Sequence, residues 1–219
     1  TYQVAPKIFT ELGADIHTIG VSPNGTNIND GCGSTSLELL RSEVKKINAD
    51  LGIAFDGDGD RVLMVNSNGD KVDGDQLLFI IVRAAFEENH FDSGVVGTLM
   101  TNLAFEENMK ELGIGFSRSG VGDRYVSEMM QEKNWIYGGE NSGHILLKDF
   151  HTTGDGIISA LQVLKAIKKR QINFDQAVSE INLYPQILLN IPLDKEIDLE
   201  ADEIQSSIRE AEKIMNNNG

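Results

Sequence analysis

Asp56-Gly57-Asp58-Gly59-Asp60-Arg61 lies between two short apolar runs, Leu51–Phe55 and Val62–Val65, in a chain of 219 residues. Short apolar runs of this kind read as buried strands, so the acidic stretch reads as the loop joining two of them. Three carboxylates alternate with two glycines. Glycine's backbone freedom lets such a loop fold tightly enough for the three acids to converge. Converged anions repel one another in a partly dry site, and a hard divalent cation removes that repulsion. A solvated acidic turn is the bland alternative; strict alternation between two strands favours the cation. Calcium in a helix-loop-helix site would want Gly at the sixth position and Glu at the twelfth. Counted from Asp56, those positions hold Arg61 and Ser67, and the flanks are strand-like rather than helical. Magnesium on Asp56, Asp58 and Asp60 is therefore the expectation. Arg61 reads as a phosphate clamp, because a guanidinium binds phosphate oxygens bidentately. Its other reading is a salt bridge to the aspartates beside it.

Composition narrows the class. With 40% hydrophobic and 24% charged residues the chain has an ordinary globular balance, and its net charge of −15 disfavours nucleic acid or an anionic membrane as partner. A phosphorylated ligand would have to be drawn into an acidic chain by local cations, which singles out Arg61 and Arg124. One cysteine, Cys32, allows no intrachain disulfide, and a reducing cytoplasm is the simplest compartment. No stretch approaches the roughly 18 to 20 apolar residues of a membrane helix.

Apolar periodicity lays out alternating helices and strands. A helical face at Val4, Ile8 and Leu12 precedes a strand at Asp15–Val21, a Gly/Asn-rich loop at 22–35 and a helix at Ser36–Ile47. The acidic hairpin follows, then an Asn68-Gly69 turn and a helix over Gln76–Glu88. A second unit begins near Gly94, with strands at Val95–Met100, Ile114–Arg118, Trp135–Gly138 and His144–Leu147. Its helices are expected at Leu103–Leu112, Asp123–Lys133, Asp155–Arg170 and Phe174–Ile181. A strand at Gln186–Ile191 and a helix at Leu199–Met215 close the chain. The two units repeat. Gly74-Asp75 and Gly154-Asp155, 80 positions apart, each open a helix, with Leu77, Leu78 and Ile81 answering Ile157, Ile158 and Leu161. That alignment sets the acidic loop opposite Gly138–His144. The pattern predicts an α/β class with mostly parallel sheets and an antiparallel edge at the hairpin, with ligands gathering at the carboxyl ends of the strands.

Gly138-Gly139-Glu140-Asn141-Ser142-Gly143-His144 places an acceptor, Glu140, and a donor-acceptor, Ser142, two residues apart, on one face of an extended loop and suited to adjacent sugar hydroxyls. His144 reads as a proton-transfer aid or as a structural strand residue. Asp123 and Arg124 read as substrate-orienting groups or as a helix start with a surface charge pair.

These loops, in this order, resemble the α-D-phosphohexomutases. Asn27-Ile28-Asn29-Asp30-Gly31-Cys32-Gly33-Ser34-Thr35 and Val121-Gly122-Asp123-Arg124-Tyr125 resemble the family's bacterial phosphoglucosamine mutase branch. The resemblance implies two duplicated three-layer α/β/α domains with mixed four-stranded sheets: residues 1–92, lacking a first strand, and 93–184, with 185–219 beginning a truncated further domain. It implies a magnesium loop at Asp56, Asp58 and Asp60, and a sugar loop in which Glu140, Asn141, Ser142 and His144 meet the substrate with Asp123 and Arg124 nearby. The implied reaction interconverts glucosamine 6-phosphate and glucosamine 1-phosphate through a phosphoserine and a bisphosphorylated intermediate. Neither the serine loop nor the phosphate-binding loop of that family occurs in this sequence, so the chain is expected to be an inactive central piece that depends on N- and C-terminal domains. A phosphoglucomutase or phosphomannomutase of the same family, a magnesium-dependent phosphatase using Asp56 as nucleophile, and a catalytically silent binding module are the alternatives.

Overall fold

The structure is a computed structural model that describes residues 1–88, 91–189, 192 and 198–216. β1 (Leu51–Phe55) and β2 (Val62–Asn66) pair antiparallel with Phe55 opposite Val62, so the acidic stretch closes directly across the ladder. The Asn68-Gly69 turn, with Gly69 at φ 80°, returns the chain into β3 (Lys71–Val72), which completes a sheet ordered β1-β2-β3. Every position of β2 is buried, because its two faces meet different partners. Val62 and Met64 join the main core, while Leu63 and Val65 pack on Leu37 and Val44, the latter in α2 (Glu38–Ile47). Alternate residues of a strand point to opposite faces, so a doubly covered strand must be apolar throughout.

The second sheet is ordered β5-β4-β6-β7, built from β4 (Val95–Thr98), β5 (Phe116–Ser119), β6 (Tyr137–Gly139) and β7 (Ile145–Leu147). β4 runs parallel to β5 and β6, and β7 turns back antiparallel. Crossovers α4 (Leu103–Glu111) and α5 (Asp123–Glu132) supply the parallel connections. Val95 faces the main core and Val96 faces Val126 and Met130 of α5. α3 (Gly74–Glu87) and α6 (Gly156–Arg170) pack on each other, and each touches strands of both sheets. One apolar core therefore runs from Val62 and Met64 through Leu77 and Ile80 to Val95, Ile145 and Val163. Residues 1–184, which also hold α1 (Val4–Glu11) and α7 (Phe174–Val178), form one compact unit; residues 185–219, with α8 (Asp202–Asn216), form another. Among the described residues no helix is long and apolar enough to cross a membrane.

The α/β class and the mixed second sheet are as expected, and the details differ in three places. The first sheet has three described strands, all antiparallel, because Asp15–Val21 forms no ladder and bends at Gly20, φ 66°. Its half-buried residues, Ile16 and Ile19, are three apart, and a strand needs a period of two to bury one face. No strand forms over residues 186–189, where Ile187, Leu188 and Leu189 are exposed; residues 190 and 191 lie outside the described residues. The repeat also shifts by two. Asp73 caps α3 in a capping box with Gln76, and Asp155 caps α6 through the Ile158 N–H. Asp73-Gly74 thus matches Asp155-Gly156, 82 positions on, because the residue that accepts the orphan N–H groups defines the helix start.

Candidate functional site

The acidic loop is organised by its first residue. Asp56 has no exposed side-chain surface. Its Oδ1 accepts the N–H groups of Gly59 and Arg61, each at 3.1 Å, and its Oδ2 accepts Arg61 Nε–H at 2.6 Å. A carboxylate offers about four acceptor positions, so Asp56 keeps one in hand. Such an enclosed side chain, spent on three N–H donors, is not placed to attack a phosphorus as a nucleophile. Asp58 is exposed and Asp60 half-buried, and one ligand atom from each of the three acids falls within 4.8 Å of the others. Asp60 Oδ1 is buried and has no hydrogen-bond partner; the nearest cationic atom, Arg61 Nε at 3.5 Å, does not complete a bond. Burial, hydrogen bonding to Asp56 and its charge, and the charge of Asp58 push the Asp60 carboxyl up, against a smaller pull from His144. Burial alone would push Asp56 up as well, but the Arg61 N–H, the Asp60 carboxyl and the Arg61 guanidinium more than offset it and hold it low. The two acids of the pair are thus driven in opposite directions, Asp60 up and Asp56 down. An orphaned oxygen and a repelling acid pair are what a hard cation relieves, and the residues present fit one.

The Glu140–His144 loop lies against the acidic loop. Arg61 and His144 form an antiparallel bridge, and Val62 N–H donates to the Gly143 carbonyl at 3.0 Å. His144 is 4% exposed, with Nδ1 3.0 Å from Asp60 Oδ2. Its Nε2 is buried, without a hydrogen-bond partner, 3.9 Å from Asp123 Oδ2 and packed on Gly154. Glu140 Oε1 accepts the Gly122 N–H at 3.0 Å, which ties this loop to the start of α5. Asn141 is half-buried and Ser142 exposed.

The two helices that follow the hairpins are exchanged between the loops. Gly74 N–H, opening α3, donates to the Asn141 carbonyl at 3.1 Å, and Gly156 N–H, opening α6, donates to the Gly59 carbonyl at 2.9 Å. Donor and acceptor shift by the same 82 positions. Both donors must be glycine. A Cβ at Gly74 would collide with the Glu140 carbonyl oxygen, and one at Gly156 would lie 2.7 Å from the Arg61 carbonyl oxygen.

The structure thus brings together Asp56, Asp58, Asp60, Arg61, Glu140 and His144, with Asp123 at the edge, its side chain 59% exposed. Arg124 is not brought in: its guanidinium is 81% exposed and paired with Glu128 along α5 at 2.8 Å. Two features escaped the sequence reading. The 27–35 loop buttresses the acidic one, since a Cβ on Gly57 would strike the Ile28 side chain and one on Gly33, at φ 79°, would sit 2.9 Å from the Phe55 carbonyl. Its Gly and Asn content signalled irregular backbone, not the segment it covers. Asp75, read only as part of a helix start, is a buried acid.

Residues 1–69 match the family model described as phosphoglucomutase/phosphomannomutase, alpha/beta/alpha domain II, and residues 73–184 match the model of domain III. The phosphoglucosamine mutase of Histophilus somni (strain 2336) is 48% identical over 220 aligned residues, covering all of this chain and 50% of that one. That of Azoarcus sp. (strain BH72) is 51% identical over 219, again all of this chain and 48% of its own length. The chain spans about half the length of the curated relatives it matches. Among solved structures, a phosphoglucomutase/phosphomannomutase family protein from Burkholderia thailandensis superposes with a TM-score of 0.71 at 22% identity, covering 81% of this chain and 39% of that one. An N-acetylphosphoglucosamine mutase from Aspergillus fumigatus, in complex with GlcNAc-6P and magnesium, gives 0.56 at 16% identity, covering 72% and 38%. At these identities the likeness concerns the fold.

Proposed function

Because the chain belongs to the phosphoglucomutase/phosphomannomutase family, we propose that it carries the metal loop and the sugar loop of a phosphoglucosamine mutase. The substrate is glucosamine 6-phosphate and the product glucosamine 1-phosphate. The observation that carries this reading is the direct contact of the two loops, through the Arg61–His144 bridge and the Asp60–His144 pair.

Asp56, Asp58 and Asp60 are the residues that hold magnesium. A divalent cation in that position supplies charge neutralisation beside a phosphoryl group, where catalysis is mostly positioning and electrostatics. Arg61 swings from Asp56 to clamp phosphate oxygens; its two terminal nitrogens take no hydrogen bond among the described residues. Glu140, held by Gly122, and the exposed Ser142 bind sugar hydroxyls, with Asn141 carrying the loop on the start of α3. His144 holds or passes a proton at Nε2, with Asp123 across from it. Arg124, engaged with Glu128, belongs to the outer rim and guides the anion in.

This chain supplies the metal and sugar loops, and the phosphoryl carrier and remaining phosphate contacts are assigned to the parts of the relatives that it does not span. The division of domains follows the loops: 1–92 with the metal loop and 93–184 with the sugar loop, with 185–219 set apart from both. The hydrogen bond from Gly74 to Asn141, and the break between family matches at 69 and 73, favour moving the inner boundary ahead of α3. A phosphosugar substrate and a lone cysteine fit a cytoplasmic setting.

Titration calorimetry of the chain with magnesium chloride tests the metal loop. Asp58→Asn is expected to weaken binding strongly, and undiminished binding would remove the assignment. Turnover of glucosamine, glucose and mannose phosphates by the parent protein tests the substrate; preference for either hexose would move it to the neighbouring phosphoglucomutase or phosphomannomutase activity.

A further inference from the structure

Asp75 sits in the first turn of α3 with 2% of its surface exposed. Its Oδ2 accepts the Asn102 N–H at 2.8 Å. Asn102 is itself a hub. Its Oδ1 accepts N–H groups from Ala104, capping α4, and from Tyr184, while its Nδ2 donates to the Tyr184 carbonyl. On the other side of Asp75, the preceding residue, Gly74, holds the Asn141 carbonyl. Two adjacent residues of α3 thus reach two segments at the carboxyl ends of the strands: the Asp75 carboxyl holds the turn at 98–102 after β4, and the Gly74 N–H holds the loop at 140–143 after β6.

Four groups face it. Asp73 lies two residues before it, Lys71 comes from β3, Arg118 from β5, and Asn102 from the turn after β4. Arg118 is committed elsewhere, to Glu106 and to the carbonyls of Thr98 and Thr101. Burial, with a contribution from Asp73, pushes the carboxyl up to about 7, against the Asn102 N–H and the more distant Arg118 and Lys71. An acid whose folded pKa lies above its unfolded value weakens the fold as pH rises between the two, here from 3.8 to about 7. Asparagine would accept the same N–H without that cost. The geometry gives this carboxyl a place in the site's framework: it holds the Asn102 N–H, while the residue before it holds the Asn141 carbonyl.

We propose that Asp75 is a positioning residue that couples the 98–102 turn to the 140–143 loop, with its charge state setting how tightly the two are held. Ionised, it is a charge-assisted acceptor for Asn102 and fixes the first turn of α3, and with it Gly74 and the carbonyl of Asn141. Neutral, its carbonyl oxygen still accepts the Asn102 N–H, but more weakly, and the first turn of α3 is held less tightly. The inference deepens the sugar-loop reading and rests on it for its consequence to substrate; the coupling itself is tested without substrate.

Hydrogen exchange of the 219-residue chain, corrected for intrinsic rates between about pH 5.5 and pH 8.5, reads it directly. In the wild type the amides of Asn102 and Gly74 are expected to gain several-fold protection together as pH rises through about 7. Met64, fully buried in β2 and taken as the reporter of unfolding, is expected to lose protection over the same range. Asp75→Asn is expected to abolish all three trends and to melt higher than the wild type at pH 8 but not at pH 5. Flat wild-type profiles, trends that survive in Asp75→Asn, or an Asn102 response that Gly74 does not share would each overturn the proposal. Should the variant not fold, carbon-13 NMR of the wild-type Asp75 carboxyl decides: the Gly74 amide must titrate with the same midpoint, and a different midpoint overturns the coupling. Because no metal or sugar is present, a chain that fails to bind magnesium leaves these outcomes unchanged.

Discussion

The loop between β1 and β2 and the loop between β6 and β7 accept a hydrogen bond from the other half's helix, through Gly156 and Gly74 respectively, yet they carry different chemistry. The first holds three carboxylates and a guanidinium; the second holds Glu140, an amide, a hydroxyl and an imidazole. The helices grip carbonyls, not side chains, so the side chains were free to diverge while the backbone plan stayed. The cost of exchange falls on glycine, since only a residue without Cβ lets a helix start approach a loop carbonyl this closely. The electrostatic cost falls on the acidic loop alone.

Substituting the two glycines tests the shared backbone plan. Gly74→Ala is expected to destabilise the chain by roughly 3 kcal/mol or more and Gly156→Ala by roughly 2 to 3, since both would strike main-chain atoms that cannot step aside. Urea unfolding measures it. Tolerance of either change within about 0.5 kcal/mol would end the equivalence of the halves.

The difference in charge predicts unequal losses from truncating each loop's anchor. Arg61→Ala strips Asp56 of its guanidinium, and allowing for an arginine 38% exposed the loss is about 2 kcal/mol at neutral pH. The Asp56 pKa is held below its ordinary 3.8, so its contribution is present above that value and fades as pH falls through the lower folded one. The deficit should therefore shrink in acid, and magnesium should restore part of it at neutral pH. Glu140→Ala removes one hydrogen bond to Gly122 and should cost about 1 kcal/mol, with no response to magnesium.

A smaller effect separates strain from ligation within the acidic loop. Asp60, pushed up by burial and by Asp56, destabilises the metal-free chain as pH rises past its ordinary range. Asp60→Asn should raise the melting temperature without metal and abolish the rise that magnesium brings to the wild type. A lower metal-free melting temperature would show the acid pair to be a net support. The smallest effect belongs to the rim: Arg124→Ala, losing only its pair with Glu128, should leave thermal unfolding unmoved and slow anion association at low salt.

The acidic loop, the strands beside it, the Asn68-Gly69 turn and the helix at 123 were legible in the sequence because each is written in neighbouring residues. Alternating carboxylates and glycines set a local geometry, and apolar runs set strands wherever a core exists to cover them. The strand at Asp15–Val21 was misread for the opposite reason. A strand exists only with a partner, and whether one is available is decided elsewhere in the chain. Arg124 had the right neighbours in sequence, but on a helix its nearest opposite charge lies four residues along, at Glu128.

The sequence by itself determined the two loops, their order, the functional groups each carries and the Asp-Gly helix start that follows each, since all of these depend on residue type and short spacing. Only the tertiary structure decided that the loops touch, that each helix start serves the other half's loop, and that Asp75 in the first turn of α3 is buried against Asn102. The hydrogen bonds responsible join main-chain groups distant in sequence, Gly74 to Asn141 and Gly156 to Gly59. A backbone N–H carries no residue-specific mark of the carbonyl it will meet, so nothing in the order of side chains announces that exchange before the shared core brings both sheets together.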